Sequence, residues 1–296
     1  MQLTVLGWNL FHGRDFPPDP ALLTWRSRLL RVTERSATHV QVNRELLPEF
    51  AALLAEAEWD VALLQECPPR FAAPLARACG AEAHRVLTSR NSLSPLRQLA
   101  ARLNPDLIAS GEGGFNLTLV RKSLRCAFSV PEKEKAHRRD RTATIVERGE
   151  LAIHEGPLER RAMAFTRVAD GNGSGLCIAN LHASAHRPEL AAEDVLRAAT
   201  AAAGWAGEAP LLFGGDFNLR PDESPDVFAE LRERFGLAPP TAPNAIDHLL
   251  ARGLEIVERP RRWDAERREV RSDGLALRLS DHAPVEARFA TPQARE

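Results

Sequence analysis

The sequence predicts an α/β protein in which helices pack outside β-sheets in one domain. Three observations carry this reading. Apolar runs of strand length alternate with amphipathic runs of helix length. Several strand-like runs are joined by hairpin-like connections, which favours an α+β mixture over a doubly wound parallel sheet. No repeat at a solenoid period and no long linker interrupts the 296 residues. We therefore expect one domain over residues 1–290 and a short tail over 291–296.

The elements follow in order. Residues 2–9 (QLTVLGWN) begin with polar–apolar alternation and read as a strand entering the core. Residues 15–20 are proline-rich and polar, hence loop. Residues 24–32 are amphipathic, with Trp25, Leu29 and Val32 on one helical face. In residues 47–57, Phe50, Leu53, Leu54 and Ala57 share a helical face, and Pro48 suits the first turn. Residues 61–65 (VALLQ) read as a strand buried on both faces and ended by Pro68 and Pro69. Residues 116–120 and 164–168 are further strands. The GNGSG turn at 171–175 joins the second of these to a strand at 176–180 as a hairpin. Residues 188–203 form a helix with Ala192, Val195, Leu196, Ala199 and Ala202 on one face. A buried strand at 210–214, a helix at 225–235 and closing strands at 246–251 and 284–289 complete the pattern. The charge-dense stretches 133–141 and 259–271 read as solvated loops.

Composition narrows the function. Lys+Arg is 39 and Asp+Glu is 40, a formal net charge of -1, so there is no global basic field calling for a polyanion partner. No apolar run approaches the roughly 20 residues that cross a bilayer. The first fifteen residues lack the basic-then-apolar pattern of an export signal, so a cytoplasmic protein is expected. Cys67, Cys79, Cys126 and Cys177 are scattered singly, which suits small core residues rather than a zinc site or a disulfide framework.

Strand after strand ends in a carboxylate, amide or imidazole. Asn9 follows TVLGW, Glu66 follows VALLQ, and Asn180 and His182 follow LCIA. Asp216 and Asn218 follow LLFGG, Asp247 follows NAI, and Asp281 and His282 precede APVEARF. Each has a local reading: a turn at Asn9, a cap at Glu66, an Asx turn at Asp216, a satisfied core imidazole at His182. Together they do not, because a desolvated carboxylate needs compensation and a bound cation compensates several at once. The set is rich in oxygen and lacks Cys, which points to Mg²⁺ or Mn²⁺ rather than zinc.

These residues form motifs: WN at 8–9, LLQE at 63–66, NLHAS at 180–184, GGDFNLRPDE at 214–223, IDHLL at 246–250 and SDHAPV at 280–285. In this order they resemble the endonuclease/exonuclease/phosphatase superfamily, the metal-dependent phosphoesterases that include pancreatic-type deoxyribonuclease. The resemblance runs from residue 8 to 285. It implies a four-layer sandwich of two facing mixed sheets flanked by helices, with the active site at one rim. It also implies roles. Glu66, Asn9 and Asp281 would form the metal environment. Asp216 would orient or deprotonate the attacking water, with Asn218 fixing it. His282, held by Asp247, would contact the phosphate or transfer a proton, and His182 would lie near the leaving group. Asn116, in GGFNL at 113–117, Asn180 and Arg161 are weaker substrate-binding candidates, and His12 and His248 sit beside motif residues.

The departures refine this. The abasic-site endonuclease branch carries a tyrosine, and a proline-asparagine-glycine turn, where this chain has NLHAS. This chain has no Tyr, which argues against abasic-site repair. His182 instead resembles the deoxyribonuclease, sphingomyelinase and inositol-phosphate phosphatase branches. The leading expectation is an Mg²⁺-dependent phosphodiesterase, foremost a nuclease acting on DNA or RNA. The runner-up is a phosphoesterase for a small phosphorylated metabolite or lipid head group, which the near-neutral charge also suits. A catalytically silent binding protein of the same fold is the alternative of another class; the presence of Glu66, Asp216, Asn218, Asp247, Asp281 and His282 argues against it. Residues 88–114, with the helix-like LRQLAARL at 96–103, suit a substrate lid.

Overall fold

The computed structural model describes residues 2–30, 32–42, 44–88, 114–124, 143–155, 160–169 and 175–292. Two sheets face each other. The first has the strand order β12-β15-β1-β4-β6-β5 and the second β11-β10-β9-β8-β7. In the first, β1 (Gln2–Asn9), β4 (Val61–Cys67), β5 (Ala81–Leu87), β6 (Phe115–Arg121), β12 (Glu255–Arg262) and β15 (Val285–Ala290) pair. The second holds β7 (Thr144–Glu155), β8 (Arg160–Ala169), β9 (Gly175–His182), β10 (Leu211–Asp216) and β11 (Asp247–Arg252). Each has one parallel pair near its centre, β1 with β4 and β9 with β10, flanked by antiparallel neighbours. Both sheets are therefore mixed, as the sequence predicts.

Strand periodicity sorts the side chains into layers. Leu3 and Val5 of β1 meet Leu212 of β10 and Leu249 of β11 between the sheets, with Leu63 of β4 and Ile178 of β9. The alternate residues Leu6 and Trp8 face outward onto helix α2 (Leu47–Glu56) through Phe50 and Leu54, and onto α3 (Ala72–Ala78) through Leu75. Leu211 and Phe213 of β10 face α4 (Pro188–Ala206) and α5 (Pro225–Phe235) through Val195, Ala199, Phe228 and Leu231. The order helix, sheet, sheet, helix is the expected four-layer sandwich. Each large side chain removed from water contributes about 2 kcal/mol.

Several expectations are corrected. Helix α1 spans only Trp25–Leu30, and Trp25 is 66% and Leu30 57% exposed. Its buried residue is Ser27, tied to Thr24 by two hydrogen bonds. The Leu29 side chain lies outside the described part. The stretch 259–271 is not loop: β12 and β13 (Glu269–Ser272) occupy most of it, and β13 pairs with β14 (Leu275–Arg278). Its charges line an edge strand, where they discourage pairing with another chain. The buried stripe of α4 runs through Ala191, Val195, Ala198, Ala199 and Ala202, so Val195, Ala199 and Ala202 face inward as read, while Ala192 and Leu196 lie at its edge. It takes in Asp194, which accepts the Ser184 backbone N–H at 2.9 Å. Strands β5 and β7, helix α3 and the small ladder of β2 (Glu34–Arg35) with β3 (Val40–Gln41) were not foreseen. Cys67, Cys79 and Cys177 are buried. Cys126, residues 133–141, the 171–174 turn and the 89–113 lid segment lie outside the described residues. Among the described residues no helix is long and apolar enough to cross a membrane.

The inter-sheet layer makes a direct test. Leu63→Ala should lower the unfolding free energy by about 3 kcal/mol, through lost burial and the cavity left behind. Val146→Ala, at a residue 54% exposed, should change it by less than about 0.5 kcal/mol in the same urea titration. Equal effects would place Leu63 outside the core.

Candidate active site

The two parallel pairs send their C-terminal ends to one rim, where β11 and β15 begin. Asn9 pairs with Gln65 across β1 and β4, and Asp216 pairs with both His182 and Asp247 across β9, β10 and β11. The sequence's polar strand ends therefore come from distant segments to one place.

Backbone detail sets their directions. Glu66 sits in a bulge of β4 between Leu64 and Cys67 with φ +48°, so it leaves the strand rather than following the ladder. Asn218 and Ser280 also have positive φ, +51° and +60°. Each such non-glycine residue costs on the order of 1 kcal/mol and is held by its surroundings. Asn218 is held by its own N–H to Asp216 Oδ1 (3.0 Å) and by its amide to the Ala183 carbonyl (3.2 Å). The Ser280 hydroxyl donates to the Asn9 carbonyl at 2.7 Å and accepts the His282 N–H at 3.0 Å. Gly215 has φ +132°, and a Cβ there would lie 1.9 Å from the Leu181 carbonyl oxygen, so β10 can meet β9 here only with glycine.

The side chains then interlock. Asn9 donates through Nδ2 to Asp216 Oδ2 at 2.9 Å and accepts the Phe11 N–H at 2.9 Å. Its N–H groups thus face carboxylate. His282 Nδ1 lies 2.8 Å from Asp247 Oδ2, while its Nε2 is 3.9 Å from both Asp216 Oδ2 and Asp281 Oδ1. His182 receives Arg161 Nη1 at Nδ1 (3.2 Å), so its proton sits on Nε2. That Nε2 faces Asp216 Oδ2 at 3.5 Å and Glu66 Oε1 at 3.8 Å. His12 Nε2 lies 3.2 Å from Glu66 Oε2.

Burial and charge shift the protonation equilibria. Burial pushes the Asp216 carboxyl up to about 7, with Asp247 adding to it and His282 opposing. Burial alone would discharge His282, but Asp247, Asp216 and Asp281 outweigh it and hold the imidazolium well above its usual range. Burial, reinforced by Arg161, lowers His182 to about 3, so it is a neutral donor. Asp281 is exposed at the rim, yet partial desolvation raises its carboxyl; His282 opposes this and the nearby Glu66 carboxylate adds to it. Burial also opposes ionisation of Glu66, but His12, His182 and the Asn9 hydrogen bond together keep it below the ordinary value.

A hard divalent cation suits the oxygen donors present, carboxylates and an amide with no thiolate. Asp216, Asp247 and His282 offer ligand atoms within 4.8 Å of one another. His282 Nδ1 is already engaged by Asp247, however, so those three read better as a proton-handling group. The Glu66 carboxylate lies near enough to Asp281 to raise it.

Two expected substrate contacts do not reach the site surface. Asn116 and Asn180 are fully buried in the seam between the sheets. Asn116 donates to the Ala162 carbonyl at 2.8 Å, and Asn180 Oδ1 accepts from Gln65 Nε2 at 2.7 Å. Arg161 lies inside β8 rather than before it. His248 is packed against Phe217 and Phe228 and bonds the Leu219 carbonyl and the Thr241 N–H. Sequence reasoning missed Trp8 and Arg268, which donate to the His282 carbonyl at 3.0 and 2.8 Å. Both act through backbone carbonyls, and no residue pattern signals that.

The whole arrangement has relatives. Residues 6–282 match the Endonuclease/Exonuclease/phosphatase family. A protein of that family from Bacteroides thetaiotaomicron shares the fold at TM-score 0.62 and 16% identity, over 99% of each chain. The mannosyl-6-phosphatase Bt3783 of the same organism superposes at 0.60 with 15% identity, covering 97% of this chain and 99% of its own. The human Nocturnin catalytic domain, with bound sulfate, gives 0.59 and 16% over 98% and 95%. No curated protein matches the sequence. The match over nearly the whole chain, with the fold already described, places this protein in the endonuclease/exonuclease/phosphatase family, as a hydrolase of phosphoester bonds.

Proposed function

We propose that this chain is an Mg²⁺-dependent phosphodiesterase, able to use Mn²⁺, and foremost a nuclease acting on DNA or RNA. The observation that carries the reading is the His282–Asp247 pair at 2.8 Å, with Nε2 turned toward Asp216. It supports a site that handles a proton and a phosphoryl charge together. The family's general dependence on a divalent metal supports the cation. The catalytic unit is taken as residues 1–290, since β15 returns to pair with β1, with 291–296 as a tail.

Glu66 and Asp281 would hold the cation, and Asn9 keeps Glu66 and Asp216 apart yet bonded. When bound, the cation neutralises charge on a phosphate oxygen. Asp216 takes the proton of the attacking water, and its position near neutrality suits a general base. Asn218, fixed to Ala183, steadies that water. His282, held as imidazolium by Asp247, donates to a phosphate oxygen as negative charge develops. His182 presents its Nε2–H beside Asp216 and Glu66, where the leaving oxygen needs a donor. Arg161 holds the ring in that tautomer.

The net charge of -1 favours a second reading, a phosphoesterase for a small phosphorylated metabolite or lipid head group. Similarity in fold to a mannosyl-6-phosphatase is in keeping with it.

Purified protein with Mg²⁺ should nick supercoiled plasmid, and EDTA should stop it. Asp216→Ala and His282→Ala should each lower the rate by about a thousandfold. Nicking that persists in both variants rejects the site. Inactivity on plasmid, with phosphate release from phosphorylated metabolites or head groups, selects the second reading.

A pH test follows from Asp216. An ordinary aspartate ionises near 3.8, but folding holds this one protonated to about 7. The unfolded chain therefore gives up the proton first. Stability from this group is full below the unfolded value and is lost as pH rises through the folded one. Asp216→Asn has no such loss. In EDTA-treated protein the melting temperature of the variant should gain on the wild type between pH ~4 and pH ~8. A difference constant with pH refutes the assignment.

A further inference from the structure

We propose that His12 is a positioning residue for Glu66: its Nε2 lies against one carboxylate oxygen, Oε2, as a close polar pair and leaves Oε1 as the face offered to the cation. This rests on reading Glu66 as a cation ligand. The contact is direct, 3.2 Å from Nε2 to Oε2, while on the other side His182 Nε2 faces Oε1 at 3.8 Å.

Both ends of the contact are set by uncommon backbone. Phe11, His12 and Gly13 have φ of +48°, +54° and +75°, and Glu66 has φ +48°. A run of left-handed residues is not what sequences adopt without cause, and such runs gather at functional sites. This one is pinned from several sides. The Leu10 N–H donates to the Gln65 carbonyl, the Phe11 N–H to Asn9 Oδ1 and the Gly13 N–H to the Leu10 carbonyl, at 2.9, 2.9 and 2.8 Å. Gly13 lies against the Phe71 ring so closely that a Cβ would come within 2.6 Å of it. The turn is thus anchored to β4, the strand that carries Glu66, and to Asn9. Any relaxation toward ordinary dihedrals would swing the imidazole off the carboxylate.

The ring's other nitrogen decides the role. His12 Nδ1 is buried and has no hydrogen-bond partner among the described residues. A neutral imidazole carries one N–H. On Nδ1 it would be a buried donor with nothing to meet, and a lone pair on Nε2 would face a carboxylate. On Nε2 it meets Oε2, and only a weakly demanding lone pair is left over. The same vacancy argues against His12 as a metal ligand. An imidazole that binds a metal through Nε2 needs an acceptor for the proton on Nδ1, and none is present among the described residues. His12 therefore acts through Glu66.

The test measures binding rather than turnover. Mn²⁺ is titrated into substrate-free protein by calorimetry, for the wild type, His12→Asn, His12→Gln, Glu66→Gln and the double variant His12→Asn/Glu66→Gln. Asn tolerates left-handed backbone, so the turn keeps its shape while the side chain is too short to bridge. It should weaken Mn²⁺ binding about 10- to 100-fold, the usual effect of removing a ligand's supporting partner. Gln reaches as far as the imidazole Nε2 and should restore binding to within about threefold of wild type. With Glu66→Gln in place, His12→Asn should have no further effect. Wild-type affinity in His12→Asn, or an equal loss with and without Glu66, overturns the inference while leaving the cation reading intact. Wild-type protein that takes up no Mn²⁺ overturns the cation reading and this inference with it. A melting curve of each variant separates a lost fold from a lost contact.

Discussion

Negative charge withdrawn from water is the constraint on which the site is built. Glu66, Asp216, Asp247 and Asp281 arrive at one rim from β4, β10, the start of β11 and the turn before β15. Asp281 stays exposed, but a buried carboxylate such as Asp216 or Asp247 left uncompensated costs several kcal/mol. Each has an answer. Asp247 is paired with His282, Asp216 takes the Asn9 amide and keeps its proton to about 7, and Glu66 has His12. What is left over is the repulsion between Glu66 and Asp281, which a bound divalent cation, as proposed above, would relieve. The same arrangement that makes the metal-free rim unfavourable prepares it to bind charge.

The rim exists because of topology. Each sheet has a parallel pair near its centre, so two neighbouring strands end together and the adjacent antiparallel strands start there. Facing the two sheets doubles the number of strand ends. Close approach then depends on small residues. Gly214 would place a Cβ 3.1 Å from Leu63 of the opposite sheet, and Gly215 would collide with the Leu181 carbonyl. Beneath the rim, the Gln65 and Asn180 amides bridge the sheets at 2.7 Å, a polar seam in an otherwise apolar layer. The left-handed residues Glu66, Asn218 and Ser280 lower stability locally, and the hydrogen bonds around them offset it.

Much of this was legible in the chain. Strands β4 and β10 read clearly because they are buried on both faces and run apolar without a break, and β1 because its polar–apolar alternation passes straight into a buried run. Helices α2 and α5 read clearly because their apolar residues recur at helical spacing. Strands β5, β7 and β12 did not, since edge strands carry charges that look like loop. Helix α1 was assigned the wrong face: Ser27, not Trp25, goes inward once Thr24 binds it. Site residues stood out as polar groups at strand ends, where solvation gives no reason for them. Trp8 and Arg268 did not, because they serve His282 through its carbonyl, and Asn116 and Asn180 were taken for substrate contacts although they face the seam.

The sequence by itself determined which chemistry is available: oxygen donors, two imidazoles beside them, and the order of motifs that belongs to phosphoester hydrolysis. Only the tertiary structure decided which group answers which. Asn9 meets Asp216 across 207 positions, and His282 meets Asp247 rather than the adjacent Asp281. The physical reason is that these pairings follow from sheet register and from a few backbone dihedrals. Residue type and spacing set neither. A strand end shows that a polar group will reach the rim, and the bulge at Glu66 and the left-handed turn at His12 decide where it points.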